Sequence, residues 1–129
     1  MEWKQLGDTI EGIGIESERN SLSADGSILA QGNSRYSEGG NQSIGNVVVY
    51  KWDGSSWNQL GNTLNGENKG DSFGNTLSLS SDGSILAVGA PKFRSEEKDD
   101  GKINVYNWNG SSWNLRNTLK AESREEFFG

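Results

Sequence analysis

Ser80-Ser81-Asp82-Gly83-Ser84-Ile85-Leu86-Ala87 repeats Ser23-Ala24-Asp25-Gly26-Ser27-Ile28-Leu29-Ala30 almost letter for letter. Downstream the echo continues: Tyr50-Lys51-Trp52-Asp53-Gly54-Ser55-Ser56-Trp57-Asn58 returns as Tyr106-Asn107-Trp108-Asn109-Gly110-Ser111-Ser112-Trp113-Asn114. The offsets, 82 − 25 = 57 and 106 − 50 = 56, agree to one residue. Self-similarity at one period marks a repeated structural unit. A unit of this length, rich in Gly, Ser, Trp and alternating apolar residues, has the signature of a β-propeller blade.

Apolar alternation between turn residues predicts four strands in each copy. In the second they are Thr76–Ser80, Ile85–Ala90, Lys102–Trp108 and Trp113–Leu119; in the first, Arg19–Ser23, Ile28–Gly32, Asn46–Trp52 and Trp57–Leu64. Asp82-Gly83 and Asn109-Gly110-Ser111-Ser112 supply hairpin turns, since Gly accepts positive φ without a Cβ clash. Trp3-Lys4-Gln5-Leu6-Gly7-Asp8-Thr9-Ile10 matches Trp57-Asn58-Gln59-Leu60-Gly61-Asn62-Thr63-Leu64 and reads as an isolated fourth strand. Phe127-Phe128-Gly129 matches Ser72-Phe73-Gly74, the opening of a copy. The expected fold is all-β: two four-stranded antiparallel blades with an extra N-terminal strand. It is a partial propeller, completed by oligomerisation or belonging to a longer array. Residues 1–12 form the outer strand of a preceding blade, 13–66 the first blade, 67–121 the second, and 122–129 the start of a further repeat. Leu77, Leu79, Ile85, Leu86, Val88, Ile103, Val105 and Leu119 are expected to bury the second blade, and Leu22, Ile28, Leu29, Val47, Val49 and Leu64 the first.

Composition narrows function. The chain has 129 residues with 31% apolar letters, enough for one ordinary domain with a limited core of its own. Five Trp, three Tyr and four Phe argue against disorder despite the polar average. A net charge of −6 disfavours nucleic acid and anionic membrane surfaces as partners. There is no Cys and no His, so disulfides, thiolate sites and the commonest general base and zinc ligand are missing. No apolar run approaches the roughly 20 residues that span a bilayer, and Met1-Glu2-Trp3-Lys4 has no apolar signal core.

Phe73-Gly74-Asn75-Thr76-Leu77-Ser78-Leu79, followed by Leu86-Ala87-Val88-Gly89-Ala90-Pro91, resembles the FG-GAP repeat of integrin-type β-propellers. There a Phe-Gly opens the blade and Gly-Ala-Pro closes its second strand. The resemblance covers about two repeats and is weaker in the first, where Glu16-Ser17 replace Phe73-Gly74 and Gly32-Asn33-Ser34 replace Gly89-Ala90-Pro91. The Trp-rich wording around it looks like a bacterial or environmental variant. The resemblance implies a secreted or cell-surface binding module. Many members hold Ca²⁺ in a loop of the form Asp-x-Asp-x-Asp-Gly-x-x-Asp; here only Asp82 remains, in a tight turn, with Asp25 as its counterpart. Ca²⁺ takes about six to eight oxygens, so neither turn is expected to hold it, and no cofactor is expected.

Trp52/Trp57 and Trp108/Trp113 flank four-residue hairpins and should face one another across adjacent strands. Such pairs staple strands together; their exposed faces are also what a sugar ring stacks on, so these four are the candidate ligand-binding residues. Trp3 lacks such a partner within its own hairpin. The cluster Glu96-Glu97-Lys98-Asp99-Asp100 lies in a loop, with no apolar surroundings to raise a carboxyl pKa, and reads as a solvated face. Glu122, Glu125 and Glu126 with Arg124 read likewise. Asn41-Gln42-Ser43 and Asn109-Gly110-Ser111 fit the glycosylation tripeptide, which is frequent by chance in an Asn- and Ser-rich chain.

A non-catalytic module for protein or carbohydrate binding is therefore expected. A carboxylate-dependent glycan-active enzyme would need two carboxylates roughly 5–9.5 Å apart at a cleft, with Glu97 and Asp99 the candidates. A purely structural segment of a larger propeller is the third reading. Two blades leave two apolar faces open, so self-association into a homo-oligomer is expected, with no nucleic-acid partner and no membrane insertion.

Overall fold

The computed structural model describes residues 3–10, 18–37, 39–40, 42–91, 94–95, 98–99 and 101–120, and over them every regular element is a β-strand. The first sheet runs β1 (Glu18–Leu22), β2 (Ile28–Asn33), β3 (Asn46–Trp52), β4 (Trp57–Gln59), with β5 (Leu64–Asn65) also paired to β3. The second sheet runs β6 (Thr76–Leu79), β7 (Ile85–Ala90), β10 (Lys102–Trp108), β11 (Trp113–Lys120). Between them in sequence, β8 (Arg94–Ser95) and β9 (Lys98–Asp99) form a small hairpin inside what was expected to be a plain loop. All the ladders are antiparallel.

The repeated Ser-x-Asp-Gly-Ser letters make the same turn twice. Asp25 Oδ1 accepts from Ser27 N at 2.9 Å and Ser27 Oγ at 2.7 Å; Asp82 Oδ1 accepts from Ser84 N at 3.0 Å and Ser84 Oγ at 2.7 Å. Gly26 and Gly83 follow at φ 75° and 76°, where a side chain would be strained.

Strand alternation gives each sheet two faces. On the front of the second sheet, Leu77 pairs with Val88, and Leu86 lies between Leu79 and Tyr106. On the back of the first, Ala30 pairs with Val49 and Val47 with Leu64. This front and this back pack into one core, where Ala30, Val47, Val49, Leu86, Val88 and Ala90 are fully buried. Close approach is possible because Gly32 has no side chain: a Cβ there would lie 2.4 Å from the Gly74 carbonyl oxygen. Leu79 N donates to Ser21 Oγ at 3.0 Å and Ala24 N to the Ser81 carbonyl at 2.8 Å, joining the two inner edges. Phe73 enters the same core, edge-on to Tyr106 at 6.5 Å, beside a parallel bridge to Gly45.

Three expectations are corrected. Leu22 is 56% exposed and Leu119 49%, while Ile28, Leu29, Leu77, Leu79, Ile85, Ile103 and Val105 are only half-buried. Ile28, Leu77 and Leu79 pack against the seam from its rim, and the others lie on the two faces that no neighbouring sheet covers among the described residues. Trp57–Leu64 is not one strand: it breaks after Gln59 and resumes at Leu64. Trp3–Ile10 forms no strand ladder. The proposed opening of a further repeat, Phe127-Phe128-Gly129, lies outside the described residues.

Candidate functional site

The Asp-Gly-Ser-Ser turn of the first sheet is closed by its own first residue. Asp53 Oδ1 accepts from Ser55 N and Ser56 N, both at 2.8 Å, and Oδ2 from Asn58 Nδ2 at 2.8 Å. These donors, the backbone N–H of Ser56 first, hold its carboxyl well below the usual carboxylate range. Asn109 does the same without a charge, taking Ser111 N and Ser112 N at 2.8 Å. The turns set Trp52 opposite Trp57 and Trp108 opposite Trp113. In each pair the rings stand 5.4 Å apart, tilted by 53° and 50°.

Each pair is also a seat for preceding chain. Trp113 Nε1 donates to the Leu60 carbonyl at 3.1 Å, and Trp113 N to Asn62 Oδ1 at 2.8 Å. Trp57 Nε1 donates in the same way to the Leu6 carbonyl at 3.2 Å. Gly61 (φ 79°) and Gly7 (φ 70°) lie so close that a Cβ would meet Trp108 at 2.5 Å and Trp52 at 2.7 Å respectively. The seated segments are alike internally: Gln59 Nε2 reaches the Gly61 carbonyl at 3.1 Å and Thr63 Oγ1 at 3.0 Å, and Gln5 Nε2 reaches the Gly7 carbonyl at 3.0 Å and Thr9 Oγ1 at 3.4 Å. Gln-Leu-Gly-x-Thr is thus a knob, and the Trp pair of a hairpin is its seat. Sequence reasoning saw the letters recur and read a strand; the Gly inside them was the available signal for a kink.

Register explains where knobs form. From Gln59, opposite Tyr50, to Leu64, opposite Val47, the outer chain takes five steps against three, so two extra residues loop out. From Leu115, opposite Tyr106, to Leu119, opposite Ile103, it takes four steps against three, and the single extra residue is absorbed as a β-bulge. With one residue fewer, and Leu115-Arg116 where the knob has Gln-Leu-Gly, β11 stays in the ladder and presents no knob.

Several other charged groups are held by local contacts. Ser27 hydrogen bonds lower the Asp25 pKa, and Ser84 hydrogen bonds, the backbone one first, lower that of Asp82. Lys102, 2% exposed, contacts Glu67 Oε1 at 2.5 Å beside the buried Asp71, whose pKa is raised by burial. Burial also raises the Tyr106 phenol against an opposing hydrogen bond from Asn104. This node joins the 65–72 connection to β10, and sequence reading missed it because its partners are 35 residues apart. Among the described residues no three His, Cys, Asp or Glu side chains gather as a metal site, and no helix is long and apolar enough to cross a membrane. Of the acidic loop, Glu96, Glu97 and Asp100 lie outside the described residues, as do Glu122, Arg124, Glu125 and Glu126. Trp3 is fully exposed and has no ring partner among the described residues.

No family model and no curated protein matches the chain.

Proposed function

We propose that the chain is a non-catalytic β-propeller repeat module, its two sheets being adjacent blades, and that it binds a protein or carbohydrate ligand at the rim carrying Trp52, Trp57, Trp108 and Trp113. One observation carries the reading: the same sheet recurs with its turn, its tilted Trp pair and its seated knob, which is how a propeller rim presents equivalent sites. Trp52, Trp57 and Trp108 are half-buried and, with Asp53, Asn58, Asn109 and Asn114 nearby in the hairpins, offer apolar rings with polar neighbours, the combination that holds a sugar ring, while Trp113 is 3% exposed and backs Trp108 from within the core. The non-catalytic part is supported by the lack of His and Cys, the commonest general base and thiol nucleophile, and by the state of the turn carboxylates. Asp25, Asp53 and Asp82 are held ionised by their own turns, so they are poor proton donors near neutrality. The FG-GAP resemblance rests on the Phe73-Gly74 and Gly89-Ala90-Pro91 motifs.

A glycan array followed by intrinsic Trp fluorescence titration tests this. The expected result is a saturable change for at least one glycan class, abolished by Trp52→Ala with Trp108→Ala in a chain whose far-ultraviolet spectrum is unchanged. A flat titration across the array rejects the carbohydrate half. A second reading, a structural segment of a larger propeller, is favoured by the indole N–H groups of Trp57 and Trp113 being used by the knobs. It expects those Trp substitutions to change stability alone.

A further inference from the structure

The two open faces of the molecule are the two halves of its own buried seam. Front residues of the second sheet have first-sheet counterparts by the repeat: Leu86 is matched by Leu29, Leu79 by Leu22 and Tyr106 by Tyr50. Back residues of the first sheet are matched in the second, Val47 by Ile103, Val49 by Val105 and Leu64 by Leu119. Burial tracks this pairing. Leu64 is 7% exposed where a sheet covers it and Leu119 is 49% exposed where none does. Val47 and Val49 are fully buried, Ile103 and Val105 half-buried.

We propose that the back of the second sheet docks on the front of the first sheet of a second copy of this chain, repeating the internal seam head to tail. The occupant is a copy of this chain because a blade of this repeat already covers the equivalent face. A groove of about 560 Å³, lined by Ile10, Leu22, Leu29, Gln31 and Trp57 among others, marks the receiving front. Gly83 is covered by Ile28, whose Cδ1 would lie 2.6 Å from an added Cβ; Gly26, at the same turn and φ, has nothing within 4 Å. Ile85 of the incoming copy is the counterpart of Ile28 and fills that space. Gln31 stands where Val88 does, a polar change on the receiving face, and Val48 stands where Asn104 does, the reverse change.

The knobs fit this arrangement. In the internal seam the outgoing sheet supplies a knob to the next Trp pair. β11 has none to give, and the seat it would have filled, Trp52 with Trp57, already holds Leu6-Gly7 of its own chain. No seat in the stack has two claimants. The interface is heterologous, so it closes into a ring where the rotation allows. This inference rests on the blade reading, but not on any ligand: a chain that assembles without binding a glycan sinks only the ligand proposal, and a monomer that binds one sinks only this.

The test uses Leu22→Glu on the front and Leu119→Glu on the back, both exposed positions that a folded monomer tolerates. Light scattering of the wild-type chain should give a discrete whole multiple of 14.0 kDa. Each variant alone should be monomeric, and an equimolar mixture should form a one-to-one complex through the two intact faces. A wild-type monomer at several hundred micromolar overturns the proposal, as does either variant assembling alone, which would mean a front-to-front or back-to-back contact. Thermal melts confirm that both variants are folded.

Discussion

Asp25, Asp53 and Asp82 use their carboxylates to close turns, and that fixes how the protein responds to acid. Their pKa values are lower folded than unfolded, where about 3.8 applies. The stability they contribute is therefore complete above about pH 4 and is lost as pH falls through the lower folded values. Melting temperature should fall modestly below about pH 4, since all three carboxylates are solvent-exposed, and a chain carrying Asp25→Asn, Asp53→Asn and Asp82→Asn should show a shallower acid slope. An unchanged slope would mean the turns are not held by the charge. Asp71 has the opposite sign. Burial raises its folded pKa, so its ionisation costs stability increasingly as pH rises from about 3.8 through that value. Asp71→Asn should be better tolerated, in urea midpoint, at pH 7 than at pH 4. The reverse order would show attraction from Lys102 outweighing desolvation. The turn letters were plain in the sequence; the Asp71–Lys102 juxtaposition was not, because only the folded sheet brings β10 to the connection.

At the scale of elements, one residue separates a knob from a bulge. The middle strands were legible: β3, β7 and β10 fall at the expected residues, because apolar alternation runs through each and an Asx turn bounds one end, at Asp53, Asp82 and Asn109 respectively. The outer strands were not, because Trp57–Leu64 and Trp113–Leu119 begin alike and differ in how many residues must fit a fixed partner. The Trp pairing was also legible from hairpin spacing. The seat was not, because its other half comes from 51 to 53 residues earlier. Removing the seat's donor tests its weight. Trp113→Phe loses the indole bond to Leu60 and should cost about 1–2 kcal/mol in chemical unfolding. Trp113→Ala, at a site 3% exposed, should cost about 3–5 kcal/mol. Trp57→Phe, at the more open seat, should cost less than Trp113→Phe; equal costs would argue that the two seats bear equal load.

At the scale of the molecule, two repeats share one seam, and the faces predicted to be core were core only where a neighbouring sheet exists to cover them. Leu22 and Leu119 have the same letters and register as the half-buried Leu79 and the buried Leu64, so no local signal separates them. Oδ1 of Asp25 and of Asp82 is taken by Ser donors, and one carboxylate in a tight turn falls short of the roughly six to eight oxygens Ca²⁺ takes, so melts in EDTA and in excess CaCl₂ should superimpose; a calcium-dependent rise would contradict this reading of the turns. The central claim, that the front of the second sheet lies on the back of the first, has a built-in comparison in Gly83 and Gly26, which share a turn and φ and differ in whether Ile28 lies above. A double-mutant cycle of Gly83→Ala with Ile28→Ala, run at a concentration where the chain is monomeric, measures that contact. Removing Ile28 should relieve part of the cost of Gly83→Ala, with a coupling of about 0.5–3 kcal/mol, while Gly26→Ala with Ile28→Ala should be additive within about 0.5 kcal/mol. Additivity in both cycles would contradict the seam.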